Sequence, residues 1–104
     1  MSQRAVTYYA VTRERGENWD VRLPLRQQAK WDEHAAFMDA LTDDGFVVLG
    51  GPLGDEEMNF LLIIDAESEQ EIHARFADDP WTPLGLLRTA KVERWEILLD
   101  ARKS

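Results

Sequence analysis

Two short segments, Phe46-Val47-Val48-Leu49 and Phe60-Leu61-Leu62-Ile63-Ile64, are apolar at every position. A strand with one wet face alternates apolar and polar side chains. An unbroken apolar run instead marks a strand covered on both faces. Whatever this chain folds into must therefore cover both sides of its central sheet. Its 104 residues suffice for one domain, residues 1–104, with a modest core. Two amphipathic helices can cover one face of such a sheet. The other face needs a partner, and the simplest is a second copy packing sheet to sheet.

The flanking sequence supplies those helices. Val6 to Val11 is β-branched and aromatic and predicts a first strand. Thr12 to Gln28 is polar and long for a connection, and long connections often carry function. Trp19 within it is expected to fold back as a plug. In Ala29 to Asp44, Trp31, His34, Ala35, Phe37, Met38 and Leu41 recur at helical spacing, and Gly45 supplies the stop. Strands follow at Phe46–Leu49 and Phe60–Asp65, with Gly50-Gly51-Pro52 read as a bulge or turn between them. Ser68-Glu69-Gln70-Glu71 matches a capping box opening a second helix, which must stop near Asp79 because Pro80 follows. A short turn is expected over Pro83–Leu87. A fourth strand is expected over Lys91–Leu99, with Trp95, Ile97 and Leu99 on one face. The order βαββαβ predicts a ferredoxin-like α+β sandwich, with four antiparallel strands and both helices on one face.

Charge and composition narrow the function. The net charge is −8, so neither nucleic-acid phosphate nor an anionic membrane is an expected partner. The longest apolar run is Phe60–Ile64, far short of a membrane span. The absence of cysteine excludes disulfides, a thiol nucleophile and a thiolate zinc site. With no signal-peptide pattern at the start, a cytoplasmic location is expected. The basic residues between Arg13 and Lys30 either steer a small anion or are simply solvated.

Few residues here bear chemistry. His73 reads as a surface or boundary residue of the second helix. His34 sits in the middle of the first helix's apolar arc, between Trp31 and Met38. It is either a core histidine satisfied by a backbone carbonyl or a general acid/base on the wall of an apolar pocket. Asp79 closes the second helix on its buried side. It either binds nearby backbone amides or meets the imidazole, fixing its tautomer and stabilising its charged form. Gly50-Gly51-Pro52 lacks a phosphate-loop context, and Asp55-Glu56-Glu57 lacks a calcium-loop pattern. No metal or cofactor site is expected.

Helix residues His34-Ala35-Ala36-Phe37-Met38, then Gly51-Pro52 after a strand, then Asp79-Pro80-Trp81 after a second helix form an ordered set. Over about residues 5 to 99 it resembles the YCII-related (YciI-like) domain family. The resemblance implies a dimeric α/β-barrel of ferredoxin-like protomers, with His34 and Asp79 as the active-site pair. Some relatives are dehydrochlorinase-type lyases. The chain departs from the family at Lys30-Trp31, where relatives often carry Arg-Pro, and in the turn Leu53-Gly54-Asp55-Glu56-Glu57. The expected function is thus a cofactor-independent lyase or isomerase acting on a small cyclic or carbonyl-bearing substrate. His34 moves the proton, Asp79 orients it, and Trp31, Met38, Tyr8, Gly51 and Trp81 form the pocket. The alternative is a non-catalytic dimeric module that binds a small ligand or a partner. The two differ in whether His34 and Asp79 lie within hydrogen-bond reach of each other and open onto a cavity.

Overall fold

A computed structural model describes residues 6–102 of the chain. Four strands, β1 (Tyr8–Arg15), β2 (Val47–Leu53), β3 (Asn59–Asp65) and β4 (Leu87–Trp95), form one antiparallel sheet in the order β2-β3-β1-β4. Helices α1 (Trp31–Asp43), α2 (Glu69–Phe76) and the short α3 (Trp81–Leu84) complete the fold, with a 3-10 turn at Leu25–Gln27. The first core joins Val11, Leu62 and Ile64 of the sheet to Leu41 of α1 and Ile72 and Phe76 of α2. Both longer helices therefore cover the same face.

Three strand boundaries differ from the sequence reading, each because pairing outranks local preference. The first strand begins at Tyr8 rather than Val6 and runs through the polar Thr12–Arg15. This stretch is held between β3 (Glu14 opposite Asn59) and β4 (Arg15 opposite Leu87). The second strand continues through Gly50-Gly51-Pro52 to Leu53 instead of stopping at Leu49. It is an edge strand, where proline and glycine are tolerated. The irregularity falls earlier, at Val48, between Val47 opposite Ile64 and Leu49 opposite Ile63. The fourth strand occupies Leu87–Trp95, not Lys91–Leu99. Trp95 pairs with Tyr8, the first residue of β1, so Ile97 and Leu99 have no strand beside them. The turn expected over Pro83–Leu87 is instead α3, closed by Gly85 at φ +70°.

Local chemistry sets the helix ends. Ser68 accepts a hydrogen bond from the Glu71 amide, as a capping box requires. The Glu71 carboxylate reaches back to the Glu67 amide, one residue beyond the cap. The long connection after β1 folds back on the body. Gly16 and Asn18 donate backbone hydrogen bonds to Leu86 and Gly85 (2.8 and 3.0 Å). A Cβ on Gly16 would collide with the Gly85 carbonyl, so this approach requires glycine. Buried Gln28 ties the loop together through Asp20 and Leu23. Trp19 is thereby seated in a second core with Phe60, Trp81, Leu86 and Leu87.

The outer sheet face is less uniformly apolar than the two central segments imply. Leu61 and Ile63 of β3 lie on it opposite Thr12 and Ala10, and Ile63 is buried. Leu49 on β2 and Trp95 on β4 remain about half exposed (53% and 43%), and the charged Lys91 and Glu93 share that face.

Candidate active site

Backbone registers bring three polar groups from distant parts of the chain beneath α1. Along β1, side chains two apart share a face, so Arg13 follows Val11 inward. Helix α1 turns His34 toward it, and the Asp79-Pro80 junction after α2 contributes the carboxylate. All three are buried: Arg13 is 2% exposed, His34 7% and Asp79 1%.

Asp79 organises the cluster. Its Oδ1 accepts hydrogen bonds from His34 Nδ1 (2.9 Å) and from the Trp81 backbone amide (2.9 Å). Its Oδ2 accepts from Arg13 Nη1 (2.8 Å) and lies 3.1 Å from His34 Nδ1. The bond to Trp81 N is an Asx-type turn onto the residue two ahead. Backbone capping and imidazole contact, alternatives in the sequence, thus coexist in one side chain. Burial opposes the Asp79 charge, but the hydrogen bonds from His34, Trp81 and Arg13 outweigh it and hold the carboxyl below its usual range. Burial likewise pulls Arg13 below the ordinary guanidinium value, with Asp79 acting against it.

Aromatic rings fix the imidazole plane. The His34 ring stacks on Trp81 at 3.8 Å and 3°. Trp81 is fully buried and anchored by its Nε1–H to the Ala29 carbonyl (2.6 Å). Trp31 packs obliquely against both rings at 5.8 Å. With Nδ1 directed at an ionised carboxylate, the neutral ring carries its proton there and leaves Nε2 as an acceptor. Nε2 has no hydrogen-bond partner among the described residues.

His34 lines a cavity of about 610 Å³. Trp31, Met38, Phe60 and Leu62 form apolar wall, Arg26 and Asp39 contribute charge, and Gly50 and Gly51 of the edge strand form one side. Of the pocket residues read from the sequence, Trp31, Met38 and Gly51 line this cavity. Trp81 lies behind the imidazole as its stacking platform rather than on the cavity wall. Tyr8 is elsewhere. It lies five residues before Arg13 on β1 and lines a separate cleft with Arg94, Trp95 and Glu96. His73 is exposed and pairs with Glu69 one helical turn away.

Arg13 is the residue that sequence reasoning misses, because it falls among the basic residues from Arg13 to Lys30, which read either as steering a small anion or as solvated charge. Arg22 does pair with Asp20 at the surface, whereas Arg15 is half-buried over the Trp19 ring and donates to the Glu57 carbonyl. The available signal was the alternation Tyr9, Val11, Arg13 along an extended first strand. Among the described residues, no group of three or more His, Cys, Asp or Glu side chains converges as a metal site does.

The fold has a relative among solved structures. The chain is similar to 5-chloro-2-hydroxyhydroquinone dehydrochlorinase (TftG) from Burkholderia phenoliruptrix, solved in complex with 2,5-dihydroxybenzoquinone. Identity is 25%, the match covers 85% of this chain and 93% of that one, and the TM-score is 0.62. No curated protein matches. The model of the YCII-related domain matches residues 7–96, nearly the whole chain. The chain therefore belongs to the YCII-related domain family.

Proposed function

We propose that this protein is a small enzyme of the lyase or isomerase type, with His34 as its general acid/base. The observation that carries the proposal is the His34–Asp79 hydrogen bond at 2.9 Å, on the wall of a largely apolar cavity. Nε2 takes a proton from an acidic C–H or O–H of a small cyclic or carbonyl-bearing substrate. Asp79 stabilises the resulting imidazolium. The ring then returns the proton at a second atom, as an isomerase does, or holds it while a leaving group departs, as a lyase does. Trp31 and Met38 shape the space for a flat ring, and the edge strand at Gly51 places backbone close to developing negative charge. The dehydrochlorinase whose solved structure this fold resembles acts on a chlorinated hydroxyhydroquinone, which supports a substrate of similar size.

The sheet order, read as β4-β1-β3-β2, supports the ferredoxin-like assignment, and the outer face supports a homodimer packed through it. Leu49, Leu61, Ile63 and Trp95 provide its apolar contact.

The site is tested by titrating the protein with 2,5-dihydroxybenzoquinone and following side-chain NMR signals. The His34 and Trp31 rings should shift while His73 stays fixed. Shifts confined to His73 or to the Tyr8 cleft would place binding elsewhere and sink the proposal. Binding at His34 without turnover of any ring compound would favour the non-catalytic module.

A further inference from the structure

Arg13 poses a problem that the proton-transfer reading leaves open. A guanidinium buried to 2% exposure is expensive, and a well-packed apolar side chain is commonly as stable there as a buried ion pair. Arg13 is also incompletely satisfied. Nη1 reaches Asp79 at 2.8 Å and Nη2 reaches Thr82 Oγ1 at 3.4 Å, but Nε has no partner. Its Cζ lies 4.7 Å from the centre of the Phe76 ring. It lines the His34 cavity from beneath. Stability is a weak reason for such a residue; its place behind Asp79 offers a better one.

We propose that Arg13 is a positioning residue that keeps Nε2 of His34 free to accept a proton. The proposal rests on the reading of His34 as the acid/base. A buried aspartate facing an imidazole alone draws a second proton onto the ring, because a charged pair is better than a lone buried anion. An imidazolium formed in this way has nothing left to accept. Arg13 supplies the balancing charge from the other side. Its bond to Oδ2 also leaves Oδ1 to His34 Nδ1 and the Trp81 amide, so ring orientation and ring charge are set together. The other charged groups on the wall of the His34 cavity are Arg26 of the 3-10 turn and Asp39 of α1, and the cleft on the other side of Arg13 carries Glu17, His73 and Arg88. The cavity residues of β2, β3 and β4 carry no titratable side chain: Val47 to Pro52, Phe60, Leu62 and Leu87.

The test reads the ring itself. Long-range ¹H–¹⁵N NMR distinguishes a neutral ring with its proton on Nδ1 from a doubly protonated one. Near neutral pH the wild-type His34 ring should be neutral with Nδ1 protonated. In Arg13→Met the doubly protonated fraction should rise at least about threefold, and Arg13→Lys should return it toward wild type. A merely structural role would not move ring charge in a folded variant and restore it with any cation. An unchanged ring in folded Arg13→Met overturns the proposal. If that variant does not fold, the wild-type spectrum decides, since a ring already doubly protonated near neutral pH, or protonated on Nε2, overturns it too. The two readings fail separately. Loss of the proton-transfer reading appears as no His34-dependent chemistry, whatever the ring charge does on changing Arg13.

Discussion

The Arg13–Asp79 pair should be strongly coupled, so that removing both charges costs clearly less than the two single changes added together. Asp79→Leu leaves the Arg13 guanidinium, 2% exposed, with no anion beside it, only a 3.4 Å contact to Thr82 and the Phe76 ring, and strips the acceptor from His34 Nδ1 and Trp81 N. An uncompensated buried charge costs about 3–5 kcal/mol. Arg13→Met alone leaves the Asp79 carboxylate with two donors instead of three, and should cost about 2–4 kcal/mol. A domain of this size is stable by only about 5–15 kcal/mol, so each single variant is marginal and its melting temperature falls by about 10 °C or more. The double variant removes both charges and fills much of their volume with apolar atoms. It should recover at least about 2 kcal/mol relative to the sum of the singles. Urea denaturation of the four proteins measures this directly, with equal m-values confirming comparable unfolding. Additive single effects would mean that the two charges do not depend on each other and would refute the cluster as described.

Three further outcomes follow from the same structure. The folded Asp79 carboxyl lies below its ordinary value, so its stabilising contribution is complete above about pH 3.9 and is lost as pH falls through the lower folded value. The stability gap between wild type and Asp79→Asn should therefore narrow as pH falls below about 4 in urea titrations, and a gap that does not change on acidification would contradict the assignment. Gly16→Ala forces a Cβ against the Gly85 carbonyl and should cost at least about 2 kcal/mol by thermal melting, whereas a loss under about 0.5 kcal/mol would show that the loop does not need this close approach. Equilibrium sedimentation should give about twice the 12.0 kDa chain mass for wild type and a monomer for Leu61→Asp, and a monomeric wild type would remove the case for sheet-face dimerisation.

What could be read from the residues was what local chemistry decides. Ser68 caps α2 because its hydroxyl meets the Glu71 amide three residues on, a contact within one turn. The inward stripe of α1 follows from helical spacing, which puts His34 and Leu41 on the buried side whatever lies beneath. Features decided by distant partners were hidden. Arg13 is interior only because β1 runs on between β3 and β4, which its own polar neighbours do not suggest. Gly50-Gly51-Pro52 is strand only because β2 is an edge, and β4 ends at Trp95 only because β1 begins at Tyr8. Tyr8 and Arg13 lie on one strand, yet their positions along β1 place Tyr8 at another cleft while Arg13 reaches Asp79.

The central claim is that His34 moves protons on a bound ring compound, and isotope exchange tests it most directly. Small cyclic ketones and hydroxyquinones are incubated with the protein in D₂O, and incorporation of deuterium at ring carbon is followed by NMR and mass spectrometry. Wild type should accelerate exchange of at least one such compound. His34→Gln should reduce the rate by at least about 100-fold while remaining folded, the loss expected when a general base is removed. Exchange that proceeds equally in folded His34→Gln would contradict the account.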